Sequence, residues 1–229
     1  GHAIEARVYA EDADKGFLPA IGTIEKLRLP FAQLFSPGDV RIDSGVREGD
    51  TISPFYDPMI AKLITHGATR TQALARMRAA LQAFHVMGLT TNLKFLAHVV
   101  AHPAFAAGGV DTSFIATHHD ALFPAAQPLS QHACAALAAS NLLRSESADP
   151  WAHRDSFWLG QPNVGSLHRV RCDGAQTEIE LVGRLPNAKM RVDGGAWLSA
   201  HIAFNKEHAQ VTIGGDSRSV YVIRNGNTA

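Results

Sequence analysis

The sequence predicts an α+β fold in two parts. Residues 1–124 contain extended segments of alternating polarity, followed by stretches of helical periodicity. Residues 125–229 contain one uncharged helical segment and then short extended segments separated by Asp-Gly and Gly-Gly turns. We therefore predict a mixed strand and helix domain over 1–124 and an antiparallel, barrel-like domain around an apolar helix over 125–229.

The first strand is predicted from strict alternation at the start of the chain. The residues expected in the core are Ile4, Ala6, Val8 and Ala10, and those on the opposite face are Glu5, Arg7 and Tyr9. The charged face is either a solvated surface, which the pattern alone favours, or the floor of a cleft. In a cleft, Arg7 would be a permanent cation, because a guanidinium does not lose its proton in proteins.

Further strands are predicted at Gly22–Leu29, Val40–Val46 and Ile60–Ile64. The even-numbered residues of the second segment are expected in the core, with Arg41 and Asp43 outside or in a contact. The third segment is a compact apolar run with one lysine, which is typical of a buried strand.

The first helix is predicted to begin after Thr69, whose hydroxyl can cap the free amides of the first turn. Gly88 is expected to end this helix. The apolar stripe that recurs at helical spacing is Leu74, Met77, Leu81 and Phe84. The arginines elsewhere on the helix, Arg70, Arg76 and Arg78, are expected to be solvated.

Two more helices are expected before the composition changes. One runs from about Asn92 and is stopped by Pro103. A short one, capped by Asp111 or Thr112, reaches His119. Pro124–Pro128 is the predicted linker to the second part.

The segment Gln131–Leu143 is predicted to be a helix without any charged residue. A helix that is apolar nearly all round must be enclosed, and this one is too short to span a bilayer. Leu137 is therefore expected to be close to fully buried.

The remaining chain offers a sheet that could enclose this helix. Hairpin turns are predicted at Asp173-Gly174, at Asp193-Gly194-Gly195 and at Gly214-Gly215-Asp216, because Asp-Gly and Gly-Gly accept positive φ. The predicted strands are Leu167–Cys172, Thr177–Val182, Ala188–Val192, Trp197–Phe204, Gln210–Ile213 and Ser219–Ile223. Closing them into a barrel around the helix would remove the sheet edges.

The composition gives no support for binding to nucleic acid, for a membrane span or for a metal site. The 229 residues carry a formal net charge of zero, which gives no electrostatic support for binding nucleic acid or an anionic membrane. No apolar run approaches the roughly 18 residues of a membrane span. Cys134 and Cys172 form no metal or redox spacing and are expected to be reduced, in a cytoplasmic or mitochondrial matrix setting, with the cytoplasm favoured. No metal site is predicted.

The run from His2 to Asp12, HAIEARVYAED, with Phe17-Leu18-Pro19 after it, resembles the start of the C-terminal subdomain of biotin carboxylases. The resemblance extends to about Pro124. It continues through Val40-Arg41, the run PFYDPMIAKL at 54–63, and GLTTN at 88–92.

This resemblance implies roles for four residues. Arg7 matches the arginine that stabilises negative charge on the ureido oxygen of biotin during its carboxylation. Asp57, with Tyr56 beside it, matches a motif near the biotin ring, although Asp57 before Pro58 is equally a turn residue. Arg41 matches an arginine at a subunit contact. Ala83 stands where homodimeric members carry a glutamate, so dimerisation through this surface does not follow.

The chain lacks several parts of a complete biotin carboxylase. The glycine-rich phosphate loop, the E-x-N-x-R motif and the general-base glutamate precede the position of Gly1 in complete members of the family. ATP and Mg are accordingly expected to bind upstream, and biotin is expected on a carrier domain that is absent from this chain. The fragment alone is expected to be inactive.

The helix and strands of residues 125–229 resemble, in order and length, the domain that joins the α and β subunits of acyl-CoA carboxylases. Its short length resembles that of the equivalent domain in the 3-methylcrotonyl-CoA and geranyl-CoA carboxylases. The equivalent domain of propionyl-CoA carboxylases is longer. The resemblance implies a carboxyltransferase β subunit and a biotin carrier domain as partners in a hetero-oligomer, without nucleic acid or membrane. The alternative is a non-catalytic, protein-binding assembly module, which would not need Arg7 and Asp57.

Overall fold

The computed structural model describes residues 1–125, 127–142, 165–172, 175–205 and 208–222. The chain forms two compact units, Gly1–Ala125 and Ala126–Ala229. Each unit has its own cluster of buried apolar side chains.

The first unit mixes strands and helices, as the sequence predicts. Its strands are β1 (His2–Tyr9), β2 (Glu11–Asp12), β3 (Leu18–Pro19), β4 (Gly22–Thr23), β5 (Lys26–Arg28), β6 (Gln33–Leu34), β7 (Val40–Ser44), β8 (Thr51–Ile52), β9 (Met59–Gly67) and β10 (His85–Met87). Its helices are α1 (Arg70–Ala83), α2 (Leu93–Ala101), α3 (Pro103–Ala107), α4 (Phe114–Thr117) and α5 (His119–Leu122), with a 3₁₀ turn at Ala13–Lys15.

A four-stranded mixed sheet in the order β1-β9-β7-β6 is the frame of this unit. Its strands are antiparallel except for the parallel pair β6 and β7. The alternation predicted for β1 is confirmed, since Ile4, Ala6 and Val8 are buried while Glu5 and Arg7 are exposed. Helix α1 covers the apolar face, where the hydroxyl of Thr65 on β9 donates to the carbonyl of Ala73 on α1.

The segment predicted as one strand over Gly22–Leu29 is two strands. β4 pairs with β8, whereas β5 pairs with β10. The chain changes partners at Ile24, whose backbone amide donates to the carbonyl of Asp50. Because this partner change occurs over long sequence separations, local alternation does not reveal it.

Helix α1 begins as predicted, since the Oγ1 atom of Thr69 accepts from the amide of Gln72. The prediction that Gly88 ends this helix is wrong. The helix ends at Ala83, and Gly88 follows strand β10 with φ of 101°. A Cβ at Gly88 would lie 2.3 Å from the carbonyl oxygen of Thr23, so a close strand crossing requires this glycine.

The solvated face predicted for the arginines of α1 is wrong for Arg70 and Arg76, which are half-buried, whereas Arg78 is exposed as predicted but is also hydrogen-bonded. Arg70 donates to the carbonyls of Phe105 and Ala106 at the end of α3, and Arg78 donates twice to the carbonyl of Val100 in α2. These carbonyls belong to the last turns of helices, where no intrahelical donor is available. The arginines therefore tie α2 and α3 to α1.

The second unit is one helix packed on one antiparallel sheet. The helix is α6 (Gln131–Leu142), and the strands are β11 (Ser166–Cys172), β12 (Ala175–Arg184), β13 (Asn187–Val192), β14 (Leu198–Asn205), β15 (His208–Ile213) and β16 (Asp216–Tyr221). Each strand pairs with the next along the chain. The predicted Gly214-Gly215 hairpin has positive φ at both glycines. Leu143, Ile223 and the Asp173-Gly174 turn lie outside the described residues.

The sheet of the second unit is a half-barrel. Its strand order ends at β11 and β16, which are not paired with each other in the described part of the chain, so the predicted closure is not observed. Helix α6 contacts strands β12 to β16. The buried residues of the helix are His132, Cys134, Ala135, Ala136, Ala138, Ala139 and Ser140.

The prediction that Leu137 is close to fully buried is wrong. Leu137 is half-buried, as are Ala133 and Asn141, which lie one helical turn away on either side. These residues share one stripe of α6 because side chains four positions apart are neighbours on a helix. A half-barrel covers several sides of a helix but not all of them, and this stripe is the side left partly open.

None of the helices among the described residues is long and apolar enough to cross a bilayer.

Candidate functional site

The outer face of the four-stranded sheet is polar and holds two of the residues singled out from the sequence. Arg7 on β1 lies opposite Lys62 on β9, which lies opposite Asp43 on β7. In the adjacent row, Glu5 and Arg41 flank Ile64. This face carries three cations and two carboxylates over three strands, opposite the face that packs on α1.

Arg7 projects from this face into solvent. Its side chain is 62% exposed, and its Nε atom donates to Oε1 of Glu5 at 3.1 Å. Hydrogen bonds with Glu5 and Tyr9 raise the pKa of Arg7 further above its ordinary value. The guanidinium is therefore charged at any physiological pH and accessible to a ligand.

Arg41 is held by a carboxylate on its own strand. Its Nε and Nη2 atoms donate to the two carboxylate oxygens of Asp43, both at 2.8 Å. Lys62 lies 3.5 Å from the same carboxylate, whose side chain is only 8% exposed. The hydrogen bond from Arg41 is the main reason why the pKa of Asp43 lies below its usual value. The partly exposed Arg41 is thus oriented along the sheet surface.

Asp57 has the geometry of a turn residue. Its Oδ1 atom accepts from the amide of Met59 at 3.2 Å, two residues on, which is an Asx turn before β9. Asp57 is exposed, and the side chains of Phe55 and Tyr56 are among the most exposed large apolar groups of the chain. This geometry leaves Asp57 and Tyr56 accessible to a ligand as well.

Two further residues lie between β1 and the Asp57 turn, and neither has a predicted role in the site. Asn92 is buried and donates from Nδ2 to Oε1 of Glu11 at 2.9 Å. Burial raises the pKa of Glu11, the hydrogen bond from Asn92 opposes this, and the charge of Asp57 raises it further. Glu11 therefore lies within electrostatic reach of Asp57. The only sequence signal was their presence in the quoted motifs.

The site residues fall into two groups. Asn92, Glu11 and Asp57 lie near the end of β1, the strand that carries Arg7. Arg41 lies on β7, separated from β1 by β9, and engages Asp43 and Lys62. Within the described ranges, no three His, Cys, Asp or Glu side chains converge as they would around a metal ion.

Comparison with protein families gives two matches that together cover most of the chain. Residues 5–117 match the biotin carboxylase C-terminal domain. Residues 128–229 match the BT domain of the methylcrotonyl-CoA carboxylase alpha subunit. The first part of the chain therefore belongs to the biotin carboxylase C-terminal domain family, and the second to the BT domain family.

Curated relatives agree with both matches. The chain is 40% identical over 166 residues to the mitochondrial methylcrotonoyl-CoA carboxylase subunit alpha of Dictyostelium discoideum, covering 69% of this chain and 23% of that protein. It is 49% identical over 123 residues to the corresponding subunit of Arabidopsis thaliana, covering 54% of this chain and 16% of that protein. The matched region is thus about a fifth of the length of these relatives.

Two solved structures match more than half of the chain. The biotin carboxylase domain of 2-oxoglutarate carboxylase from Hydrogenobacter thermophilus matches with a TM-score of 0.50 and 33% identity, covering 54% of this chain and 26% of that one. Pyruvate carboxylase from Rhizobium etli matches with a TM-score of 0.51 and 31% identity, covering 62% and 13%.

Proposed function

We propose that this chain is a C-terminal piece of the biotin-carboxylase α subunit of an acyl-CoA carboxylase, a ligase, with the 3-methylcrotonyl-CoA type favoured. The two family matches and the named relatives support this function over the assembly-only alternative. In this proposal residues 1–124 take part in biotin carboxylation and residues 125–229 in subunit assembly. The observation that carries the catalytic half is the exposed, permanently charged guanidinium of Arg7.

The role of Arg7 follows from its chemistry and exposure. Biotin, when bound, supplies a ureido nitrogen as nucleophile and a ureido oxygen on which negative charge develops. Arg7 donates hydrogen bonds to that oxygen and stabilises the charge, with Glu5 and Tyr9 orienting the guanidinium from the same strand. Asp57 and Tyr56, accessible at their turn, contact the biotin ring system.

In this proposal ATP and Mg bind to another part of the subunit, and the match to a solved biotin carboxylase domain in complex with MgADP supports this. Biotin arrives on a carrier domain. Arg41, oriented by Asp43, lies at a subunit contact.

The helix and half-barrel of the second unit bind the carboxyltransferase β subunit. The match to the BT domain supports this assignment. Cys134 and Cys172 are free thiols, which suits a reducing compartment. The bacterial cytoplasm, which we favour from the sequence, and the mitochondrial matrix, which the names of the relatives indicate, both provide one.

The test of the catalytic role is Arg7→Ala in the full-length subunit. Carboxylation of free biotin should fall by about 10²–10³-fold, the usual effect of removing one charge-stabilising donor. Bicarbonate-dependent ATP cleavage without biotin should change far less, because Arg7 does not contact the nucleotide in this proposal.

Arg169→Ala is the matched control. Arg169 is also 62% exposed and also donates from Nε to one glutamate, Glu178, but it lies in the second unit. Its removal should leave both activities unchanged. Equal losses of both activities in Arg7→Ala, or no loss in either, would remove Arg7 from the role proposed.

A further inference from the structure

Asn92 occupies the N-cap position of α2, directly before Leu93, but its side chain does not cap the helix. An asparagine there normally accepts from the free amides of the first turn. The side chain of Asn92 makes no such hydrogen bond with α2, and it is only 4% exposed. All of its hydrogen bonds given by the structure go to a segment more than 80 positions earlier in the sequence.

The side chain of Asn92 pairs with the free edge of β1. Its Oδ1 atom accepts from the amide of Tyr9 at 3.0 Å, and its Nδ2 atom donates to the carbonyl of Arg7 at 3.1 Å. The backbone amide of Asn92 also donates to the carbonyl of Tyr9 at 3.2 Å. These bonds replace a neighbouring strand, because β1 is the edge strand of its sheet.

The pairing falls where β1 needs support. The register between β1 and β9 shifts between Val8 and Tyr9, so the regular ladder is interrupted one residue beyond the Arg7 and Lys62 pair. An edge strand at such an irregularity has few restraints on its backbone direction. By binding the carbonyl of Arg7, Asn92 fixes the peptide plane next to the Cα atom from which the guanidinium projects.

The same amide also binds Glu11, in the group of site residues near the end of β1. Its Nδ2 atom donates to the carboxylate of Glu11 at 2.9 Å. The charge of Asp57 contributes to the raised pKa of Glu11. Beside it, the amide of Ala10 donates to the carbonyl of Pro58, at the foot of the Asp57 turn. One buried side chain therefore links the backbone of Arg7 to the carboxylate of Glu11, next to the residue whose amide binds the Asp57 turn.

We propose that Asn92 is a positioning residue for biotin carboxylation, which holds the backbone of Arg7 and the carboxylate of Glu11 in the arrangement that the site requires. This inference rests on the proposed role of Arg7. A small misplacement of a catalytic group costs up to about 10²-fold in rate, so loss of this anchor should be visible in catalysis and not only in stability.

The experiment compares Asn92→Ala and Asn92→Asp in the full-length subunit. Aspartate keeps the shape and the acceptor for Tyr9 but, when ionised, donates neither to Arg7 nor to Glu11. Both variants should lower kcat for carboxylation of free biotin by about tenfold or more, while bicarbonate-dependent ATP cleavage without biotin stays within about twofold. If alanine prevents folding, aspartate still provides the test, and failure of both to fold would overturn the positioning role.

Thr65→Val is the control for a purely structural effect. Thr65 is also buried and hydrogen-bonded in the same unit, to the carbonyl of Ala73 at 3.0 Å, but it lies on the opposite face of the sheet from Arg7. It should lower the melting temperature without changing the ratio of the two activities. If the Asn92 variants behave like Thr65→Val, the inference is wrong.

A double-mutant cycle separates this inference from the proposed function. If Asn92 acts through Arg7, then Arg7→Ala with Asn92→Ala should be no slower than Arg7→Ala alone. Losses that multiply would overturn the inference and leave the role of Arg7 intact. If Arg7→Ala by itself leaves biotin carboxylation unchanged, the proposed function fails first.

Discussion

The two units each pack a helix against a sheet, but the two helices are built differently. Helix α1 buries one apolar stripe and keeps arginines, glutamine and threonine elsewhere. Helix α6 has no charged residue and buries seven of its twelve residues, most of them alanine. The first helix lies on a sheet of mixed direction, and the second lies against a curled antiparallel meander.

This difference shows that the composition of a helix depends on how many of its sides are packed against the sheet. A helix on one face of a sheet needs one apolar stripe, and its remaining surface is available for other contacts. In α1 that surface is used by arginines that bind the ends of neighbouring helices. A helix inside a half-barrel has strands on several sides, and small side chains allow all of them to approach closely.

The largest expected effect comes from the same substitution made in both helices. Ala138 on α6 is fully buried, whereas Ala79 on α1 is exposed. Ala138→Asp places an unpaired carboxylate in an apolar interior and should lower the free energy of unfolding by about 3–5 kcal/mol. Ala79→Asp should cost less than about 1 kcal/mol, mainly helix propensity. Leu137→Asp, on the partly open stripe, should fall between them.

Urea unfolding followed by circular dichroism measures these differences, and limited proteolysis with mass spectrometry identifies which unit opens. Ala138→Asp should unfold the second unit, leave the first largely protected and abolish capture by the carboxyltransferase β subunit that we propose as its partner. Equal small effects in Ala138→Asp and Ala79→Asp would mean that α6 is not enclosed.

A smaller effect is expected from the arginines that distinguish α1. Arg70→Met keeps the apolar stem but removes the hydrogen bonds to the carbonyls of Phe105 and Ala106. Its cost should be about 1–2 kcal/mol, because charged donors to helix ends are worth more than a surface pair. Arg169→Met, which breaks an exposed ion pair with Glu178 in the second unit, should cost at most about 1 kcal/mol. Identical melting temperatures for the two variants would contradict this ranking.

The smallest effect is the pH dependence that Glu11 gives to the stability of the first unit. The pKa of Glu11 is raised above its usual 4.5, chiefly by burial. Between the two pKa values the carboxyl group is therefore protonated in the folded chain and ionised in the unfolded chain. The stabilising contribution is present below the unfolded pKa and is lost as pH rises through the folded one. Glutamine at position 11 is neutral at every pH. Glu11→Gln should therefore be as stable as the parent below the unfolded pKa of Glu11, and more stable than the parent above the folded pKa.

Melting curves of both proteins across about pH 4 to 7 test this expectation. The difference should grow with pH in the transition of the first unit and be absent from that of the second, whose buried helix carries no carboxyl group. A constant offset at every pH would contradict the assigned titration.

Local patterns predicted the elements that depend on local chemistry. Thr69 caps its helix, β1 alternates as expected, and the strands β11 to β16 all appear near their predicted bounds. The misassigned residues share a different property. Gly88, Arg70 and Leu137 are each decided by a partner from another part of the chain, or by the absence of one.

For the candidate site, the sequence identified Arg7 and its face but not what holds them. Arg7 and Asn92 are 85 positions apart in the sequence, and the residue type at one position does not predict a hydrogen bond with the other. Asn92 looked like the start of a helix, since asparagine is favoured there on local grounds. Its actual partners became visible only when β1 and α2 were brought side by side.

The sequence by itself determined which residues face a core, where turns occur and which family motifs are present, because periodicity and turn chemistry act over a few residues. Tertiary structure alone decided that the barrel is half open, that α1 arginines bind helix ends, and that Asn92 pairs with β1. The physical reason is that a polar group is satisfied by any suitable partner within about 3 Å, and only the folded chain selects which one comes that close.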